Sequence, residues 1–516
     1  MIAKIHTATT VGLEVFHIET ELDLTPALPS VVVVGLPDKA VQESKERIKS
    51  SIKQSGYEFP LGKVTVNLAP ADLVKSGTGF DLPIAVGILQ LIDQLKQVDL
   101  EKTLFIGELS LDGKIRSVNG ILPICIWAKD NGFAKIIIPK NNTMEASLVS
   151  GVDIFACESL NQVADFLNQK IQVNPIKPLN LKDLHSKNKN DLQDDNGLFS
   201  NDMSFVKGQM VSKRALEIAA AGGHNVLFIG SPGSGKTLLA KSYQTILPSM
   251  TKKEILETTK IYSIAGLLKK DEIVCTRPFR SPHHSSSHIS LVGGGSKITP
   301  GEISLAHRGV LFLDEFPEFR RETIEVLRQP LEDGEVTISR ASGTVTYPSR
   351  FYLIAAANPS PSGFDDEDEK KFHIPQSQAA IRRYRSKFSG PILDRIDIQV
   401  EVSQPTKNEL QSDELAEKST EIAKRVQAAR DIQTNRFKDD TIATNSEMSL
   451  LKIKKYCKLD LSGKQILNTA ITKYRLSARA YHRVLKLART IADLASRDRI
   501  TAQDIAESLQ YRGKWG

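Results

Sequence analysis

The sequence is poor in cysteine: Cys125, Cys157, Cys275 and Cys457 are the only four in 516 residues, and no two form a CxxC pair. That excludes a zinc knuckle or redox dithiol readable from spacing, and leaves reduced, mostly buried thiols as the expectation. Long hydrophobic runs are missing too. No stretch approaches the ~20 uncharged apolar residues of a membrane-spanning helix. The start, MIAKIHTATTVGLEVF, has neither the basic opening nor the apolar core of a secretory signal. A cytoplasmic protein without a membrane partner is expected. There is no internal repeat. With 25% charged and 40% hydrophobic residues the chain reads as an ordinary globular protein, and its length calls for two to four domains.

Charge is unevenly spread. The net value is +7, yet Leu451–Gly516 alone carries fifteen Lys and Arg against five Asp and Glu. The rest is slightly acidic. A basic carboxyl-terminal segment suits a polyanion, because phosphate neutralisation gives sequence-independent affinity; a solvated helical face is the alternative.

Residues 1–171 alternate short apolar runs with turns, predicting an α/β domain. Strands are expected at Val31–Val34, Val64–Leu68, Leu104–Gly107 and Ile136–Ile138, and a helix at Lys39–Gln54 with Ala40, Ser44, Ile48 and Ile52 on one face. Residues 172–203, rich in Asn, Asp and Lys, read as a linker. A second α/β block covers 204–403. Residues 404–516 read as helical, over Lys407–Arg436 and Ser462–Leu509.

The chemistry sits in the second block. An apolar run, Asn225–Ile229, feeds Gly230-Ser231-Pro232-Gly233-Ser234-Gly235-Lys236-Thr237 and then the helical Leu238–Gln244. This is GxxxxGKT in its strand–loop–helix setting, the signature of a P-loop that binds ATP. Glycines let backbone amides converge on phosphate, Lys236 reaches the outer phosphates, and the Thr237 hydroxyl ligates a magnesium ion (Mg2+). A second run, Val310–Leu313, ends in Asp314-Glu315, placing acids where a parallel sheet binds ligands. Asp314 is expected to hold Mg2+ and Glu315 to polarise the attacking water. A strand ending in solvated acids is the plainer reading of that pair. A third run, Phe351–Ala357, ends in Asn358, whose amide can orient water or sense phosphate; Asn-Pro is also a common turn.

The order P-loop, Asp-Glu, Asn is that of AAA+ ATPases. The blocks CTRPFRSPHHSSSHISLVGGG, PGEISLAHRGVLFLDEFPEF, AAANP, SGPILDRIDI and SARAYHRVLKLARTIADLA resemble the magnesium-chelatase-like ComM/YifB family over nearly the whole chain. The resemblance implies a Lon-protease-like α/β amino-terminal domain, an AAA+ P-loop αβα core and a C-terminal helical lid, assembled as a homohexamer. It implies a motor on branched or single-stranded DNA, akin to branch-migration helicases of natural transformation. By the same resemblance Arg395 in LDRID matches the finger that reaches a neighbour's nucleotide, and Arg479 in SARA matches a second sensor on the lid. The gap between Lys236 and Asp314 has room for a helix-2 insertion. A hairpin, Glu335–Arg340 with Thr344–Tyr347, is predicted between Asp314 and Asn358. Both insertions line the pore in related motors, so Lys297 and Arg340 are candidate DNA contacts, with solvated loop charges as the alternative.

Departures from the family pattern matter as well. Relatives often carry cysteines after the Asn-Pro; here the segment is Asn358-Pro-Ser-Pro-Ser-Gly363 followed by the acidic Asp365–Glu369, so no zinc is expected. His283, His284 and His288 read as substrate or interface contacts rather than a metal site. Where Lon has its serine this chain has Gly79, and where Lon has its lysine it reads Ile121-Leu-Pro-Ile124, so no peptidase is expected. A chelatase-type subunit that remodels a protein partner and a non-catalytic nucleotide switch stand as alternatives to the DNA motor.

Overall fold

The computed structural model describes residues 2–512 apart from 72, 76, 96–99, 181–200, 270–271, 296–297, 341–342, 363–383, 385–386, 389, 412–414 and 441. Most of the expected linker and the acidic run lie outside the described residues.

The amino-terminal part is built on a mixed sheet. Strands β1 (Ile2–Val11) and β2 (Glu14–Thr25) pair antiparallel over their whole length and turn back at Gly12, whose φ of 59° suits glycine. They are joined by β3 (Ser30–Val34), β4 (Lys63–Ala69), β5 (Thr103–Phe105), the short hairpin of β6 (Glu108–Leu109) and β7 (Ile115–Arg116), β8 (Lys135–Pro139) and β9 (Asp153–Cys157). The large sheet runs β3-β4-β2-β1-β5-β8-β9. Three expected strands fall inside β3, β4 and β8; the fourth ends at Phe105 rather than Gly107, because Gly107 turns away to donate to the Gly79 carbonyl. Period-two burial of Val64, Val66 and Leu68 fixes the register of β4. The Lys39–Gln54 helix forms as expected, capped by the Asp38 carboxylate on the Val41 amide at 2.9 Å. Its buried face carries Val41 with Ser44, Ile48 and Ile52, so Val41 replaces Ala40 in the stripe.

Beyond residue 200 the chain builds a five-stranded parallel sheet. Its strands are β10 (Val226–Ile229), β11 (Phe279–Arg280), β14 (Val310–Leu313), β17 (Tyr352–Ala357) and β18 (Ile398–Glu401), in the order β11-β14-β17-β10-β18. Two antiparallel pairs interrupt it: β12 (Gly293–Gly294) with β13 (Thr299–Pro300), and β15 (Glu335–Arg340) with β16 (Gly343–Pro348). The runs VLFI, VLFL and YLIAAA are apolar throughout because both faces of a parallel sheet are covered; every residue of these three strands is buried. On β15 and β16 only Val336, Ile338, Val345 and Tyr347 are buried, the signature of a hairpin with one packed face.

The carboxyl-terminal region is helical but more broken than its periodicity suggests. Ser462–Leu509 resolves into Leu461–Tyr474, Ala478–Leu494 and Ala502–Gln510, interrupted at Arg475 and Ser496, both at positive φ. Asp460 and Ser477 cap the first two, accepting from Gly463 and Ala480 amides. Lys407–Arg436 likewise divides into Lys407–Gln411 and Ser419–Arg436. In the last three helices hydrophobic periodicity carries across the breaks because Leu467, Val484, Leu485, Ala488 and Ile505 share one core; the caps mark the breaks.

Among the described residues, the amino-terminal part is joined to the rest at two places. Ser263, near the end of the helix Lys252–Ala265, donates to Glu145 at 2.5 Å and its carbonyl accepts from the Gly120 amide at 3.2 Å. Burial raises the pKa of that Glu145 carboxyl. Separately, Val11 and Leu13 pack on the cluster holding Val336, Ile338 and Val345.

Candidate phosphate-binding and acid site

Strand β10 delivers Gly230 at its carboxyl end. A Cβ there would overlap the Val402 carbonyl, so only glycine passes. Gly233 and Gly235 have φ of 78° and 92°, and open space surrounds the position of a Cβ on each. Gly235 immediately precedes the helix Lys236–Tyr243, whose first amides lack intrahelical partners and carry the positive end of the helix dipole. Ser234 is buried with no hydrogen-bond partner for its hydroxyl. Lys236 donates to the Gly230 and Ser231 carbonyls at 2.6 and 2.9 Å and to the Asn358 side-chain oxygen at 3.3 Å. Burial lowers the pKa of its ammonium, with Asp314 opposing.

Strand β14 ends at Leu313, so Asp314 and Glu315 emerge at the same edge. Thr237 donates its hydroxyl to Asp314 at 2.8 Å, closing P-loop on acid. Glu315 sits at a φ of 50°, an uncommon left-handed geometry for a non-glycine residue, and its amide donates to Asp314 at 3.0 Å. Its carboxylate meets His284 Nδ1 at 2.9 Å. Strand β17 lies between β10 and β14, which sets Asn358 between cradle and acids. The Asn358 carbonyl accepts from Tyr384 at 3.0 Å. Sequence reading did not find the His284–Glu315 contact. Its signal was the His-His pair just beyond β11, the neighbour of β14. No group of three or more His, Cys, Asp or Glu is arranged for a metal ion among the described residues.

Sequence reading also missed the first turn of the helix Met210–Gly222 and the segment before it. Lys213 donates to the Val206 carbonyl at 2.5 Å, Gln209 reaches the Ser403 carbonyl, and Gln404 donates to Pro232 of the P-loop at 3.5 Å. The available clue was Gly208, which with Gln209 takes a left-handed step.

Arg395 and Arg479 are brought together, but away from the cradle. Asn225, at the amino end of β10, donates to the Arg395 carbonyl at 3.0 Å, whereas the P-loop leaves the opposite end of that strand. The separation along the strand is roughly 15 Å. Arg479 lies 3.5 Å from Asp394 and stays exposed. Burial and the nearby Arg479 lower the Arg395 pKa. Arg340 is exposed on β15, next to Gly294 of the other insertion. Lys297 lies outside the described residues. In the amino-terminal part Gly79 offers no nucleophile, and Ile121, Leu122 and Ile124 are buried in its core.

These residues fit ATP with Mg2+. The glycine cradle is open where phosphate oxygens need room, and the unpartnered Ser234 hydroxyl and buried Lys236 supply donors. The paired Thr237 and Asp314 oxygens form a donor set for a hard cation.

Three family models match consecutive parts of the chain: "Subunit ChlI of Mg-chelatase" over residues 20–142, "Magnesium chelatase, subunit ChlI" over 202–410, and "Magnesium chelatase, subunit ChlI C-terminal" over 416–512. Competence protein ComM of Haemophilus influenzae is 41% identical over 514 residues, covering 99% of this chain and 97% of that protein. The YifB protein of Escherichia coli is 40% identical over 509 residues, covering 98% and 96%. YifB of Salmonella typhimurium is 41% identical over 512 residues, covering 99% and 97%.

Proposed function

The chain belongs to the magnesium-chelatase-like family of ComM and YifB, and from that premise we propose that it is an ATP-hydrolysing AAA+ ring motor acting on branched or single-stranded DNA. The observation that carries the reading is the convergence of Lys236, Thr237, Asp314, Glu315 and Asn358 at the carboxyl ends of three adjacent parallel strands. The amides of Gly230–Thr237 and the Lys236 ammonium hold the phosphates. Thr237 and Asp314 hold Mg2+, which when bound neutralises charge on the outer phosphates. Glu315 draws the proton from the attacking water, and Asn358 orients it.

Arg395 and Arg479 face away from their own cradle, which supports a role on the nucleotide of the next subunit and hence a homohexameric ring. We read residues 1–171 as a Lon-like domain without peptidase activity, 172–203 as a linker, 204–403 as the AAA+ core and 404–516 as its helical domain. The relative's name as a competence protein and the basic terminal segment support DNA over other cargo. The family descriptions favour a second reading, a chelatase-type subunit that remodels a protein partner.

ATP turnover measured with and without branched or single-stranded DNA, over a range of salt, separates the two. The motor reading expects stimulation that weakens as salt rises. Absence of stimulation at both low and moderate salt favours the partner-remodelling subunit.

A further inference from the structure

Arg395 is folded back onto its own chain. Its side chain is only 10% exposed, and its guanidinium pairs with Glu332 while also donating to the Pro391 carbonyl. The grip is incomplete, since the buried Arg395 Nε–H has no partner. Glu332 is 51% exposed, so the pair is wetted on one side. Half-exposed ion pairs bias a side chain without locking it. A polar cavity of about 410 Å³ opens beside both residues, bounded also by Asp394 and Arg483, and gives the guanidinium somewhere to move.

The position of Glu332 gives this contact a second meaning. It lies in the helix Arg328–Asp333, which stops at Gly334 and enters β15 at Glu335. Gly334 is tied to the hairpin's exit, its carbonyl accepting from the Ser349 amide at 2.8 Å. Arg340 stands at the far end of the same strand. A force on the hairpin tip therefore reaches Glu332 through one short continuous stretch, with no loop between them to absorb it.

We propose that Glu332 is a positioning residue that parks Arg395 on its own subunit and yields it to the neighbour's nucleotide when the β15–β16 hairpin engages DNA. The proposal rests on reading Arg395 as a residue that acts in trans. It makes Arg395 unavailable by default, and so ties hydrolysis to an occupied pore.

The test compares ATP turnover of wild type, Glu332→Gln, Glu332→Asp and Arg395→Ala, each with and without single-stranded DNA. Glu332→Gln is expected to raise DNA-free turnover about threefold to fivefold, the bias of one half-exposed ion pair, and to shrink the stimulation by DNA. Glu332→Asp, which keeps the charge but shortens its reach, is expected to fall between the two. Arg395→Ala should be silent in both conditions. If Arg395→Ala is silent while both Glu332 variants match wild type or fall below it, the latch is wrong and the reading of Arg395 stands. If Arg395→Ala turns over like wild type, that reading fails and the latch goes with it.

Discussion

The Lys236 ammonium lies 3.3 Å from the Asn358 side-chain oxygen, although 122 residues separate them in sequence. The contact exists because β17 is inserted beside β10, so the strand that ends in Asn358 opens next to the P-loop. Lys236 is satisfied by two carbonyls and this amide, all neutral partners. Replacing it by alanine removes the cation without stranding a carboxylate. Lys236→Ala is expected to lower ATP turnover at least ~100-fold through lost phosphate neutralisation, with an unchanged far-ultraviolet dichroism spectrum.

Glu315 is expected to be needed for turnover and dispensable for binding, since it touches neither the P-loop nor Thr237. Glu315→Gln keeps the shape and loses the proton acceptor, so turnover should fall ~100-fold or more. Retention of labelled ATP on a filter checks the other half: the variant should hold ATP at least as well as wild type.

Stability should decline on mild acidification because of His307. Its ring is almost fully buried; Nδ1 accepts from the Arg350 amide at 3.1 Å and Nε2 faces Glu257 at 3.3 Å. Burial lowers its pKa from the ordinary histidine value, with Glu257 opposing. The unfolded chain thus binds the proton more tightly than the folded one. The contribution of the neutral ring is complete above about pH 6.5 and is lost as pH falls through the folded-state value. The melting temperature is expected to drop by more degrees between pH 7.5 and pH 5.5 in wild type than in His307→Asn, which titrates nothing at this site.

Gly12 tests whether the amino-terminal part is held on the hairpin. A Cβ at Gly12 would run into the Val345 side chain, and its φ of 59° disfavours any branched residue. Gly12→Val is expected to cost about 1–3 kcal/mol from overpacking, read as a lower melting temperature. It should also speed proteolysis between the amino-terminal part and the core. An unchanged melting curve would mean that the turn and the hairpin are apart in solution.

Much of this was readable in the sequence where one residue type meets one geometric need. The P-loop glycines, the VLFL run and its two acids, and the alternating Val336, Ile338, Val345 and Tyr347 announce themselves locally. The order of the strands does not. Nothing near Phe351–Ala357 says that it will lie between β10 and β14, and that insertion is what brings Asn358 to Lys236. The long β1–β2 pair was missed because its Thr-rich alternation is weak and its one turn signal is Gly12. Arg395 could be matched by resemblance, yet its pairing with Glu332 depends on a tertiary approach that no local pattern encodes.

On the proposed reading of Arg395 as a residue that serves a neighbouring subunit, the sheet has two business ends, and a single copy owns both without using them on one molecule of fuel. By that reading a chain crippled at Lys236 would still offer its neighbour a good Arg395, and a chain crippled at Arg395 would still offer a good cradle. Mixed together, two populations that are each inert alone should regain part of their turnover at the junctions where sound halves meet.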